Sequence, residues 1–170
     1  AEFGAVETLL VLDERLREQR TRSEARLTSE ARRLGVPTPV VFDVDPPEGR
    51  LEFEHVGTAD LRAALSRAAV RDVGRHLARC HGAGFVHGDP TPRNVRIDDS
   101  RTFLIDFGLG YYTDDVEDHA MDLHVLEGSL AGTADDPAAL IEALEDAYRD
   151  VGDGQALDRL REIETRGRYQ

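Results

Sequence analysis

A carboxylate, an amide and a second carboxylate fall close together in this 170-residue chain. They are Asp89 in His87-Gly88-Asp89, Asn94 five residues on, and Asp106 twelve residues later in Asp106-Phe107-Gly108. Phosphoryl transfer from a nucleotide needs these three groups. One carboxylate orients the attacking hydroxyl, while the amide and the second carboxylate hold magnesium against the phosphates. Asp89 is therefore the expected catalytic base. Asn94 and Asp106 are the expected magnesium ligands, because hard oxygen donors suit an ion that keeps waters and phosphate oxygens for the rest of its octahedron. A lone aspartate in a Gly-Asp-Pro turn is ordinarily a turn former. Here it follows the apolar Phe85-Val86 and precedes Asn94 at the required offset, so the pattern is specific.

Elements on both sides must hold these groups. Residues 1–11 show little period. From Leu12 a helical pattern runs through Leu16, Leu27, Ala31 and Leu34, with Gly35 as its stop. Pro37 and Pro39 force an extended entry into a strand over 40–44. Pro46-Pro47-Glu48-Gly49 makes a turn, and residues 51–56 form the returning strand. Thr58 reads as the cap of a short helix reaching Leu65. Val70, Val73, Leu77 and Cys80 or His81 mark a longer helix, which Gly82 and Gly84 end. Short strands over 95–97 and 102–105 flank the turn at Asp98-Asp99-Ser100. Beyond Asp106 the chain reads as helical to its end, in segments around Leu123, Leu126 and Leu130, then Leu140, Leu144 and Tyr148, then Leu157, Leu160 and Ile163. His87 should brace its loop by hydrogen bonding, and Phe107 should pack between helix and loop. His76 and His81 are five residues apart, as are His119 and His124. That spacing stacks no two imidazoles on one helical face, so no zinc site is expected.

Composition sets further limits. The length suffices for one domain with a real core. With 40% hydrophobic residues and no long apolar run, neither a transmembrane segment nor a signal peptide is expected, and the expected location is cytoplasmic. Net charge is −13, much of it in blocks such as Asp114-Asp115-Val116-Glu117-Asp118. All 21 basic residues are arginine. Such a surface suits a high-salt cytoplasm, where carboxylates hold hydration and repulsion is screened. A GC-rich genome would produce the same exchange of lysine for arginine. The charge argues against broad nucleic-acid binding except through a local basic patch. Arg166-Gly167-Arg168-Tyr169 is one such patch, a candidate site for phosphate or a partner. Cys80 is the single cysteine, which excludes an intrachain disulfide and reads as a buried structural thiol.

With these residues in view, the chain resembles the small atypical kinase of the KEOPS complex, which acts in threonylcarbamoyladenosine modification of tRNA. The likeness runs from about Leu12 to Tyr169. It is carried by Leu12-Asp13-Glu14-Arg15-Leu16-Arg17, Arg20-Thr21-Arg22-Ser23-Glu24-Ala25, Gly35-Val36-Pro37-Thr38-Pro39, His87-Gly88-Asp89, Ile105-Asp106-Phe107-Gly108-Leu109-Gly110, Glu117-Asp118-His119-Ala120-Met121-Asp122-Leu123 and Arg166-Gly167-Arg168. The resemblance implies an α+β, protein-kinase-like fold with a minimal, mostly helical lower lobe. It implies a lower lobe with a basic tail over 54–170, and an upper lobe of which this sequence, in departure from the family, is expected to keep only a truncated remnant over 1–53 (control helix and strand hairpin). It implies an ATP- and Mg2+-dependent serine/threonine kinase and ATPase. Its expected partners are the threonylcarbamoyltransferase subunit, to which archaeal members are sometimes fused, other small KEOPS subunits, and tRNA through Arg166 and Arg168. Glu24 would be the control-helix glutamate that pairs with a nucleotide-anchoring lysine. Glu54 and Val56 would supply backbone groups to adenine where the chain crosses between lobes.

The sequence departs from the family in holding no lysine. Phe3-Gly4-Ala5 reads as a relic of the nucleotide-covering loop. The usual Leu-Thr-Thr-Ser after the catalytic aspartate is replaced by Pro90-Thr91-Pro92-Arg93, which stiffens the loop and brings Arg93 toward the phosphates. Two other readings stand beside this one. A small-molecule phosphotransferase of the aminoglycoside or choline kinase type shares the His-Gly-Asp loop and its asparagine. A pseudokinase scaffold would explain the absent lysine.

Overall fold

A computed structural model describes residues 2–167 of the chain, with side chains from Leu12 onward. The first helix, α1, spans Glu2–Arg33. It begins ten residues earlier than the periodicity indicates, so Phe3-Gly4-Ala5 is helical and not a covering-loop relic. Of the five apolar residues expected to share its buried face, Leu27 and Ala31 are fully buried, while Leu12, Leu16 and Leu34 are exposed. The turn of the strand hairpin meets the helix at Arg17, leaving the apolar residues before it uncovered. Gly35, at φ +82°, ends the helix as its sequence predicts, and the Val36 N–H closes back on the Ala31 carbonyl.

After the extended Pro37-Thr38-Pro39 segment, β1 (Val41–Asp45) and β2 (Arg50–Phe53) form the expected antiparallel hairpin. The Thr38 hydroxyl donates to the Thr28 carbonyl on α1, and the Leu104 N–H donates to the Pro37 carbonyl. These two bonds pin the connecting segment between the helix and the centre of the fold.

The helix expected after Thr58 does not form. Ala59–Asp60 is instead a short strand, β3, antiparallel to β5 (Val95–Ile97), which pairs in turn with β6 (Thr102–Leu104). Thr58 donates its N–H to the Ile97 carbonyl, and Asp60 accepts from Arg62 and the Ala63 N–H. A non-local strand pairing thus takes the backbone groups that a local cap would have used. A second two-stranded sheet joins β4 (Phe85–Val86) to β7 (Tyr111–Tyr112), inside the stretch expected to be helical.

The helices α2 (Arg67–Gly82), α3 (Val116–Thr133), α4 (Pro137–Val151) and α5 (Gln155–Gly167) form the larger part of the molecule. Three begin at side-chain caps: Ser66 accepts the Ala69 N–H, Asp115 the Glu117 N–H and Asp136 the Ala139 N–H. Val70, Val73, Leu77 and Cys80 turn one face of α2 into a core shared with Leu123, Leu126, Leu144, Leu157 and Leu160. Truncating a fully buried member such as Leu77 to alanine would cost about 2–5 kcal/mol. Gly74 lets α2 approach α4 closely, since a Cβ there would lie 2.6 Å from the Leu144 carbonyl. Cys80 is buried, which pushes its thiol up and keeps it inert. Among the described residues, no helix is long and apolar enough to cross a membrane.

Candidate active site

Strand β4 delivers His87-Gly88-Asp89 to the surface end of the core. Gly88 has φ +87°, and a Cβ there would overlap the Leu109 carbonyl, so only glycine fits. The loop is fastened from behind by Asp122 on α3. Its buried carboxylate accepts the N–H groups of His87 at 2.8 Å and Gly88 at 2.9 Å. His81 of α2 donates Nε2–H to the same carboxylate at 2.9 Å and accepts the Tyr148 hydroxyl at Nδ1. Burial pushes the Asp122 carboxyl up, but the hydrogen bonds from the His81 ring and the His87 N–H outweigh it and hold it below the ordinary range. Burial pushes His81 down, so the pair is a neutral imidazole against a carboxylate.

His87 braces the loop as its position implies. It donates Nε2–H to the Ile105 carbonyl at 2.9 Å and accepts the Asp89 N–H at Nδ1. Full burial lowers its basicity, which fits the neutral tautomer those two bonds require. Phe107 packs, fully buried, against the rings of His87 and Phe85. Pro92 opens a 3-10 turn over Pro92–Asn94 that brings Asn94 back to Asp89. There the Asn94 amide nitrogen donates to the Asp89 carbonyl at 2.9 Å and to its carboxylate at 3.0 Å. The Ile105 N–H then donates to the Asn94 backbone carbonyl at 3.0 Å, which ties the segment before Asp106 to the Asn94 turn. Asp106 is the one non-glycine residue with positive φ, at +62°, among the described residues. Strain of this kind collects at functional sites.

A cavity of about 250 Å³ opens in front of Asp106. Its walls include Glu24 and Thr28 of α1, Phe53, Glu54 and Val56 from the hairpin and the crossing segment, and Arg96. Four of the sequence-derived site residues, Glu24, Glu54, Val56 and Asp106, thus meet in one space. Asp89 and Asn94 do not line it. The Glu54 carboxylate is engaged by the Val40 N–H, and the Val56 carbonyl by Arg96. Arg93 is exposed and outside the cavity, contrary to its expected place near the phosphates. The guanidinium that does line it belongs to Arg96, which donates to the Val56 and Gly57 carbonyls. Sequence reasoning missed Arg96, and missed the loop-fastening function of Asp122 except as part of the family run Glu117–Leu123.

The donors present fit a magnesium-bound nucleotide. Fixing the Asn94 nitrogen on Asp89 leaves its Oδ1 as a free hard acceptor. Asp106 carries a single 3.2 Å bond from the Gly108 N–H. Glu24 sits alongside, and no arginine pairs with it among the described residues. Burial first, and then the Asp106 charge, raise its carboxyl. Two close carboxylates with no ion-pair partner among the described residues are compatible with a bound cation. The tail is described only in part: Arg166 pairs with Glu162 at 3.6 Å, and Arg168 lies outside the described residues.

A family model described as "Phosphotransferase enzyme family" matches residues 82–163, just under half of the chain, from the end of α2 through the Asp89 and Asp106 loops to α5. A fold of this order carrying this site is that of a protein-kinase-like phosphotransferase. A relative in Archaeoglobus fulgidus, a probable serine/threonine-protein kinase BUD32 homolog, is 39% identical over 159 residues, covering 93% of this chain and 80% of that protein. The chain belongs to this BUD32-type kinase family. Higher identity comes from two haloarchaeal proteins, each a probable bifunctional tRNA threonylcarbamoyladenosine biosynthesis protein. The one from Natronomonas pharaonis is 78% identical and that from Halobacterium salinarum 66%, each over 160 residues and 94% of this chain. The chain spans only 30% of the length of either. Among solved structures, vaccinia related kinase 3 overlaps 82% of the chain at a TM-score of 0.47 and 16% identity.

Proposed function

We propose that this chain is the kinase module of the threonylcarbamoyladenosine pathway, binding ATP with Mg2+ and hydrolysing it or passing its phosphoryl group to a serine or threonine hydroxyl. The observation that carries the reading is the Asn94 amide bonded to the Asp89 carboxylate, with the Asn94 backbone carbonyl bonded to the residue before Asp106, which lines the cavity together with Glu24. In this reading residues 1–53 belong to the upper lobe and 54–170 form the lower lobe, with nucleotide between them. Glu54 and Val56 flank the adenine. Asn94 Oδ1 and the Asp106 carboxylate hold the metal, which supplies charge neutralisation on the phosphates when bound. Asp89, oriented by Asn94, accepts a hydrogen bond from the attacking hydroxyl or water and takes its proton. Asp122 and His87 act through the loop by fixing where Asp89 points. The naming of the haloarchaeal relatives supports a part in tRNA threonylcarbamoyladenosine biosynthesis, and in this reading the chain is a cytoplasmic module acting with, or fused to, a threonylcarbamoyltransferase and other KEOPS subunits. tRNA would then reach the tail at Arg166 and Arg168.

The test is magnesium-dependent release of phosphate from ATP by the chain and by Asp89→Asn. Loss of about 10²–10³ in turnover in the variant, with ADP binding kept, is the expected result. Equal turnover in the two proteins would remove Asp89 from the chemistry.

A further inference from the structure

Seven arginines lie on the part of α1 with described side chains: Arg15, Arg17, Arg20, Arg22, Arg26, Arg32 and Arg33. Among the described residues only Arg22 forms an ion pair, with Glu18 at 3.3 Å. Elsewhere arginine–carboxylate pairs are common, from Arg50 with Asp45 to Arg166 with Glu162. The α1 cations are concentrated on one element of an otherwise acidic protein.

Three of them face a common groove. Arg15, Arg22 and Arg26, with Glu18, Gln19 and Ser23, line a depression of about 450 Å³ that Tyr112 of β7 closes. The Tyr112 ring is 48% exposed. Arg15 and Arg26 are eleven residues apart, which places them about 16 Å apart along the helix axis. That span is far too long for one phosphate ion and suits a polyanion running along the helix. Because β7 pairs with β4, the groove borders the strand that carries the catalytic loop.

We propose that this groove is a docking site for the backbone of RNA, with Arg15, Arg22 and Arg26 on phosphates and the Tyr112 ring under a base. The inference deepens the tRNA-linked reading above by giving the nucleic acid a place beside the kinase site. Guanidinium groups match phosphate geometry with paired hydrogen bonds. An exposed aromatic ring next to a cationic track is the usual platform for an unpaired base. Gln19 and Ser23, between the arginines, offer neutral groups to sugar hydroxyls. An acidic peptide would use the arginines but has no use for the ring, which is what favours RNA over it.

The experiment is fluorescence anisotropy of a labelled tRNA transcript with the whole chain, over a salt series starting at the lowest salt that keeps the fold. The triple variant Arg15→Gln, Arg22→Gln, Arg26→Gln should bind at least tenfold more weakly at low salt. Its log-log salt slope should fall by roughly 2, since each phosphate contact contributes about 0.7–0.9. The corresponding triple lysine variant should keep the slope, and Tyr112→Ala should lose affinity with the slope unchanged. ADP binding by the triple glutamine variant reports that the fold survives. That measurement also separates the two readings, because a chain that binds no nucleotide could still show the arginine dependence. Unchanged tRNA affinity and slope in the triple glutamine variant would overturn the proposal. So would a polyglutamate peptide that binds with the same arginine dependence while tRNA does not.

Discussion

One nitrogen of Asn94 serves two oxygens of Asp89, the backbone carbonyl at 2.9 Å and the carboxylate at 3.0 Å. A single amide thereby fixes the direction of the proposed base and turns its own oxygen toward the proposed metal. Replacing Asn94 by alanine removes both effects. Magnesium-dependent ADP affinity should fall at least tenfold by calorimetry, with a stability loss of about 1 kcal/mol for the missing hydrogen bonding. Asn94→Asp should be no better, because it sets a second carboxylate against Asp89.

Asp122 fastens the loop without touching substrate. Asp122→Ala leaves the N–H groups of His87 and Gly88 and the His81 ring without their acceptor, all in a buried site. Each orphaned donor costs about 1–3 kcal/mol, so denaturant unfolding should show a loss of at least about 3 kcal/mol. Asp122→Asn keeps one acceptor and should lose less. A stability unchanged by Asp122→Ala would mean the loop finds other partners.

His76 makes the acid side of the stability profile. It is buried beneath β6, donates Nε2–H to the Thr102 carbonyl, and burial pulls its pKa from 6.5 to about 4. Its Nδ1 has no partner among the described residues. As pH falls from about 6.5 toward about 4, the unfolded chain takes up a proton that the folded chain refuses. Stability therefore drops across that window, by up to about 3 kcal/mol. His76→Gln keeps a donor without the titration, and its urea midpoint should stay flatter between pH 6.5 and 4. Equal slopes in the two proteins would show that other groups dominate there.

Turnover should be slow in this lysine-free chain. No cation meets Glu24 among the described residues, and one missing charge-stabilising donor typically costs about 10²–10³ in rate. Arg93 lies outside the cavity, so Arg93→Ala should leave residual turnover intact, whereas Arg96→Ala should weaken nucleotide binding by freeing the Val56 and Gly57 carbonyls. Turnover matching that of a lysine-containing relative would contradict the expectation.

What the sequence disclosed follows physical range. Asp89, Asn94 and Asp106 are legible because the loop that joins them is local. The α2 face through Val70, Val73, Leu77 and Cys80 is legible because burial there repeats with the helix, and Gly35 because a positive φ demands it. The two-residue strands β3 and β7 are too short to show a period, and each owes its existence to a partner more than twenty residues away. Thr58 failed as a cap for that reason. The stacked imidazoles of His81 and His119, 4.6 Å apart, escaped notice because spacing within one helix says nothing about pairs between α2 and α3. Leu12 and Leu16 carry a helical period with nothing to cover them, so pattern alone overstated the core.

The most direct test of the account is titration calorimetry of the chain with magnesium alone, with ADP alone and with both, repeated on Asp106→Ala. Two protein ligands leave most of the metal's shell to water and phosphate. The account predicts weak magnesium binding without nucleotide, tight binding only for the pair, and loss of that gain in Asp106→Ala. Tight binding of magnesium alone, or magnesium–ADP binding indifferent to Asp106→Ala, would contradict it.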